Sequence, residues 1–314
     1  MNNPKPTSLD TMKGHGKCHD GQLCSYHEGK VNNSVCPSPE VYGVNHLEQI
    51  SIMLNEQDTE DISVEELMED SLKLVDEYWK NNKHDLKTND IANHRAEYNE
   101  AQKDGRYLAG GWMASPQQFS QLFTAMWVLN AKGQLDSNSE VLRLGTASGA
   151  HSQQLNGVFP IIDPNLNPAL SIMDMCDAPL KDSEHVTDKL ICGDIVSGMR
   201  EAVNEASMDI VTGHVITSFI PAKGSEEARD HEKSLAAKLK LFSNARHVLK
   251  LGGCMCMCIG TSPNDPRRFN NKDEIVKVIE DAGFRDITIV ETTDPLDFSD
   301  GNYDPGNFVV VAFK

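Results

Sequence analysis

No stretch of the 314-residue sequence is apolar for long enough to cross a bilayer, which takes ~20 residues. The N-terminus, MNNPKPTSLD, lacks the basic-then-apolar order of an export signal, so the expected compartment is the cytoplasm. Basic residues are scarce: 29 Lys and Arg stand against 47 Asp and Glu, a formal charge of -18. That balance argues against a protein that coats nucleic-acid phosphates or an anionic membrane, and neither partner is expected. A disulfide framework is absent too. Of the eight cysteines, Cys254, Cys256 and Cys258 alternate inside one apolar run, where they read as small core residues of a buried strand. The paired CxxC of a structural zinc site is also missing. His15, Cys18, His19, Cys24, His27 and Cys36 lie close together and are of a type that holds zinc or iron. Without that spacing, no metal site is assigned to them.

What is present divides into three parts. Residues 1–45 are rich in Asn, Pro, Gly, Ser and Lys without apolar periodicity and read as an irregular lead-in. Residues 46–109 turn helical and acidic and read as a helical extension or lid. Leu47, Ile50 and Leu54 share one helix face, and Leu67, Leu72, Val75 and Trp79 another, with Ser63 and Glu66 placed as a capping box. A third, mostly polar helix is expected over about 90–103. From 110 to 314 strands and helices alternate. A helix opens at Ser115-Pro116 and carries Phe119, Leu122, Phe123, Met126, Trp127 and Leu129 to about Ala131.

The next stretch organises the remainder. In SEVLRLGTASGAH, residues 139–151, a short apolar run stops at Gly145, passes through Thr146, Ala147 and Ser148, and reaches Gly149 before a helix expected over 151–155. A small-residue turn between strand and helix lets backbone N–H groups approach a polar ligand. Strands are then expected at 170–173, ending in Asp174; at 189–192, followed by Gly193 and Asp194; at 208–212, followed by Gly213 and His214; and at 254–259. Helices are expected at 231–249, closed by Gly252 and Gly253, and at 272–282. Two last β-rich runs, 286–291 and 307–313, have no helix between them and so pair antiparallel or are separated by other strands. The fold class is α/β: a mostly parallel, seven-stranded, doubly wound sheet with a terminal antiparallel strand and an N-terminal helical extension.

From about Gly110 to Lys314 this order resembles the class I S-adenosylmethionine-dependent methyltransferases. VLRLGTASG is similar to their cofactor loop, SIMDMCDAPL to their second strand, LICGDIV to their third, and MDIVTGHVITSF to the fourth. EDAGFRDITIVE followed by NFVVVAFK looks like their closing hairpin. The resemblance implies methyl transfer from S-adenosyl-L-methionine to a small molecule or a peptide side chain. It places the cofactor against Arg143, Gly145, Thr146, Ala147 and Gly149, the ribose at Asp174 beside Met175, the adenine amino group at Asp194 beside Ile195, and the active-site edge at Gly213. Asp163 competes for the ribose, but it follows Gly149 too soon for a helix and return strand to intervene. His214 and His151 are the candidate general bases. The DPPY or NPPY of amino-nitrogen and amide methylation is absent; the chain reads TGHV. Arg143 stands where the family carries an acid, and a guanidinium there suits a carboxylate. That reversal leaves an alternative open, a catalytically silent methyltransferase-fold binding or scaffold protein; metal binding by the N-terminal Cys/His segment is a separate alternative.

Overall fold

A computed structural model describes residues 44–82, 116–145, 158–175, 180, 187, 189–214, 216–221, 225–292 and 306–314. The Cys/His lead-in, the helix expected over 90–103, and the turn residues Thr146, Ala147, Gly149 and His151 lie outside them.

Helix α1 (Val44–Asn55) and helix α2 (Val64–Asn82) form where the apolar spacing places them. The capping box is real. Glu66 N–H donates to Ser63 Oγ at 3.1 Å, and Ser63 N–H donates back to the Glu66 carboxylate at 3.2 Å. These bonds satisfy N–H groups that the first helical turn leaves without a partner. Ser63→Ala is expected to cost ~1 kcal/mol of stability, read as a lower urea midpoint at unchanged slope. Helix α3 (Pro116–Ala131) follows and is buried on every side from Ser120 to Leu129. Two indole N–H groups that would otherwise be buried without acceptors tie α3 to its neighbours. Trp79 Nε1 donates to Ser120 Oγ at 2.9 Å, and Trp127 Nε1 donates to Asn55 Oδ1 at 2.8 Å.

Seven strands follow: β1 (Glu140–Leu144), β2 (Ala169–Asp174), β3 (Leu190–Cys192), β4 (Met208–His214), β5 (Leu249–Thr261), β6 (Arg285–Thr292) and β7 (Gly306–Phe313). They make one sheet in the order β3-β2-β1-β4-β5-β7-β6. The neighbours from β3 to β5 run parallel, and β7 runs antiparallel to both β5 and β6. The missing crossover helix before the last strand therefore has the expected outcome, with β7 inserted between β5 and β6. Short helix α4 (Met199–Ala202) and the longer helices α5 (His231–Val248) and α6 (Lys272–Asp281) connect strands of the sheet.

Alternation along the strands splits the core into two layers. Val141, Ile210, Cys254, Cys256 and Cys258 face α1, α2, α3 and the helical residues around Phe159. Leu142, Leu144, Val211, Met255 and Met257 face α5 and α6. The three cysteines are thus core residues, and burial pushes the Cys254 and Cys258 thiols up to about 12, which keeps them protonated and inert at neutral pH. The glycine pair 252–253 does not close α5. That helix ends at Val248, and Leu249 is already extended and paired with Met208; the next pair is Ile210 with Cys254. Residues 250–253 form an excursion within the ladder, turned by Gly252 at φ +80. A side chain on Gly253 would lie 2.8 Å from the Asp209 carbonyl, so close backbone approach fixes that glycine.

Candidate functional site

The chain leaves β1 toward β2 and β3 on one side and takes up β4 and β5 on the other, so the connections diverge at the carboxyl ends of β1 and β4. In open parallel sheets, ligands bind at such a divergence. Gly145 turns the chain out of β1 at φ +73, while its N–H donates to Met173 O at 2.9 Å. Asp174 ends β2, and its carbonyl accepts from Gly193 N–H at 2.9 Å, which sets the two strand ends side by side. Asp194 follows β3. Its Oδ1 accepts from Val196 N–H at 2.6 Å and Ser197 N–H at 2.9 Å, so one carboxylate oxygen fastens the turn and the second remains for another donor. Met175 follows Asp174 and its carbonyl faces Cys192 Sγ at 3.7 Å, while Ile195 packs into the layer under α5.

Asp163 lies at the other end of the molecule. Its carboxylate accepts from Asn165 N–H at 2.8 Å in a turn that packs on Ser137, ahead of β1. This is the amino edge of the sheet, so Asp163 has no part in a ligand site at the carboxyl edge.

Sequence reasoning missed one residue of this edge. A side chain on Gly145 would lie 2.7 Å from Ile216 Cδ1, and one on Gly213 would lie 2.9 Å from Ile216 Cγ2. Ile216, in the turn that follows β4 (residues 216–219), therefore rests on both glycines, across the mouth between β1 and β4. The available signal was the coincidence of glycines at two strand ends, each leaving room for the same aliphatic side chain. Gly145→Ala meets both this contact and a left-handed backbone. It is expected to lower stability by about 1–3 kcal/mol, measurable as a shift in thermal midpoint.

Arg143 and His214 sit on the face covered by α3. Arg143 pairs in register with Thr212, Thr212 with Cys256, and His214 with Cys258. Arg143 is 2% exposed, and burial lowers its pKa to about 10, partly opposed by the nearby Cys258 and Cys256. It therefore carries a full positive charge at neutral pH. His214 is buried as well, at 8% exposure.

The loops beyond β4 and β5 are held together by a buried lysine. Lys238 of α5 donates from Nζ to Ile220 O at 3.0 Å, to Arg267 O at 2.6 Å and to Ser234 Oγ at 2.6 Å. It also lies 5.2 Å from the centre of the Phe269 ring, which stacks on Phe242. The loop after β5 folds back on itself, with Ser262 N–H donating to Phe269 O at 2.8 Å. Asp265 in that loop binds Arg267 through both oxygens, at 3.0 and 2.6 Å, and the pairing holds its carboxyl below the usual range despite partial burial.

A groove of 410 Å³ between α4 and α5 is lined by Ser197, Arg200, Leu239, Lys240 and Ser243 and includes none of Gly145, Asp174, Asp194, Gly213 and His214. Among the described residues, no group of three or more His, Cys, Asp or Glu is gathered for a metal, and no helix is long and apolar enough to cross a membrane.

No protein-family profile and no curated protein matches the chain. Among solved structures it is similar to an S-adenosylmethionine-dependent methyltransferase of Archaeoglobus fulgidus. The identity is 12%, over 59% of this chain and 90% of that one, with a TM-score of 0.39. It is also similar to phosphoethanolamine N-methyltransferase 2 of Haemonchus contortus in complex with S-adenosyl-L-methionine: 16% identity over 66% of this chain, TM-score 0.42. The chain spans 53% of that enzyme. A third is the TehB-like S-adenosylmethionine-dependent methyltransferase of Corynebacterium glutamicum, at 13% identity over 71% of this chain and 97% of that one, TM-score 0.39. The sheet order, the single reversed strand and the helices on both faces define this chain as having the class I S-adenosylmethionine-dependent methyltransferase fold.

Proposed function

We propose that this protein transfers a methyl group from S-adenosyl-L-methionine to a small molecule, with a peptide side chain as the other acceptor class. The observation that carries this reading is the placement of two acids on adjacent strand ends, Asp174 and Asp194, beside the left-handed turn at Gly145. A carboxylate at Asp174 accepts bonds from the two hydroxyls of a ribose. The second oxygen of Asp194 accepts from an exocyclic amine. The backbone at Gly145 comes close because it has no side chain. These donors and acceptors fit the adenosine half of the cofactor. The amino acid half fits with one change of sign, since Arg143 stands where the family that this chain resembles carries an acid.

When bound, the sulfonium supplies an activated methyl group, and displacement from it needs alignment and dryness more than proton transfer. Ile216 contributes the dry wall, and the loops joined by Lys238 flank the space beyond the β4 and β5 ends. His214 is the base we assign to a protonated acceptor; His151 is the second candidate. Saturable binding of S-adenosyl-L-methionine in a calorimetric titration, followed by transfer of a radiolabelled methyl group to an acceptor from a small-molecule panel, is the expected result. Pure protein that shows no heat of binding ends the reading.

Arg143 favours a second reading, a protein that keeps the fold and binds a ligand without turning it over. Saturable binding with no labelled product from any acceptor class would leave this reading standing; labelled product removes it.

A further inference from the structure

In a chain with 47 acidic residues against 29 basic ones, the 410 Å³ groove between α4 and α5 is lined by two cations, Arg200 and Lys240, and by no acid. Both side chains are exposed, and neither forms an ion pair among the described residues. Two cations facing one groove repel each other, and an anion between them removes that repulsion. Arg200 reaches across from α4 and donates from Nη2 to the Ser243 carbonyl at 3.4 Å. That contact holds the guanidinium against α5 and leaves its other N–H groups for a ligand. Ser197 adds an exposed hydroxyl, and half-buried Leu239 adds an apolar wall.

The same lining holds the turn that carries Asp194. Ser197 N–H donates to Asp194 Oδ1 at 2.9 Å, beside Val196 N–H at 2.6 Å. Asn244, also in the lining, donates from Nδ2 to the Val196 carbonyl at 2.6 Å. The groove and the Asp194 carboxylate therefore share one short turn, residues 194–197.

We infer that this groove binds a small organic phosphate, and that its occupancy steadies the turn presenting Asp194. A phosphate dianion offers three acceptor oxygens, enough for an arginine fork, an ammonium and a hydroxyl together, and its charge matches the two cations. The organic part lies on Leu239 and on the aliphatic stems of Arg200 and Lys240. The volume is within the ~300–1,000 Å³ of small-molecule clefts, which favours a metabolite over a folded partner. Binding in the groove stands independently of the proposed function; only the consequence for the cofactor rests on that reading, through Asp194.

The test titrates phenyl phosphate, phenyl sulfate, inorganic phosphate and phenol into the unaltered protein by calorimetry at constant ionic strength. Phenyl phosphate is expected to bind with a Kd of about 0.1–1 mM, in keeping with its size. Phenyl sulfate, with one charge fewer, and inorganic phosphate, with no ring to cover Leu239, should each bind about tenfold more weakly, and phenol not at all. Arg200→Gln and Lys240→Gln, both at exposed positions, should each cost about fivefold. Hydrogen exchange over residues 194–200 should slow about fivefold in saturating phenyl phosphate, and S-adenosylhomocysteine should bind about fivefold tighter. No binding of phenyl phosphate up to about 10 mM, or equal binding by the double variant, overturns the inference. Unchanged exchange over residues 194–200 overturns the link to Asp194. A phosphotyrosine peptide that binds at least about tenfold tighter than phenyl phosphate makes the groove a protein-docking surface and overturns the small-molecule assignment. If S-adenosylhomocysteine binds neither with nor without phenyl phosphate, the proposed function falls, while the phenyl phosphate titration and the exchange rates still decide the groove.

Discussion

Asp174→Ala is expected to weaken binding of S-adenosylhomocysteine by about 100-fold, the largest effect on affinity at this edge. A carboxylate that accepts from two ribose hydroxyls makes two charge-assisted bonds, and a net loss of about 3 kcal/mol corresponds to that factor. Asp174 is the last residue of β2, half-buried, and its backbone carbonyl, which accepts from Gly193 N–H, is retained in the variant. A thermal midpoint measured beside the titration separates lost binding from lost folding. Asp174→Asn keeps the shape and one acceptor and should fall between the two. Asp163→Ala provides the contrast: that residue caps a turn at the opposite edge and should leave the titration unchanged. If Asp174→Ala binds as tightly as the parent protein, the ribose is not held at β2 and the proposed site is in the wrong place.

Much of this edge was legible because the information was local. Each strand ends in a chemically distinct residue: Gly145, Asp174, Gly193-Asp194 and Gly213-His214. Strand ends in a parallel sheet converge whatever the intervening loops do. The capping box at Ser63 and Glu66 and the final hairpin were legible for the same reason, since each follows from residues a few positions apart or from a segment too short to hold a crossover. The errors came where meaning depended on a distant partner. Gly252 and Gly253 follow a helical pattern and carry the composition of a helix end. Their role is set by Asp209 on β4, whose carbonyl lies against Gly253, and by a ladder that resumes only at Cys254. Ile216 was passed over because an isoleucine after a strand has no signature of its own; its place is defined by absent side chains on two other strands. Lys238 was invisible for a related reason. It lies on the buried face of its helix with Leu241, Phe242 and Ala245, and only the folded chain brings Ile220, Arg267 and Ser234 around it.

Lys238 carries the other large prediction, one of stability and its dependence on pH. Its amine is fully buried, and burial lowers its pKa to about 7, with Asp265 and Glu274 acting the opposite way and Arg267 acting with burial. His231 bonds to Glu274 at 2.9 Å, and Arg268 lies 3.8 Å from Asp265, so both carboxylates have other charged partners. The unfolded chain holds the lysine proton up to about pH 10.4, so between about 7 and 10 it binds more protons than the folded chain. Stability from this group therefore rises with pH across that window, with a slope of at most about 1.4 kcal/mol per pH unit, and is flat below it. Lys238→Met removes the titration and leaves the Ile220 and Arg267 carbonyls buried without their donor, at about 1–3 kcal/mol each. The unaltered protein at about pH 6 already bears the cost of a buried charge, whereas at about pH 9 it keeps its hydrogen bonds with less of that cost. The destabilisation caused by Lys238→Met should thus be small at the lower pH and reach about 2 kcal/mol or more at the higher one. Urea midpoints of the two proteins measured side by side give the comparison, with titrations common to both cancelling in the difference. A stability difference that stays constant across the window would mean that the amine remains charged throughout, and that the two loops are pinned by a permanent cation rather than by a titrating one.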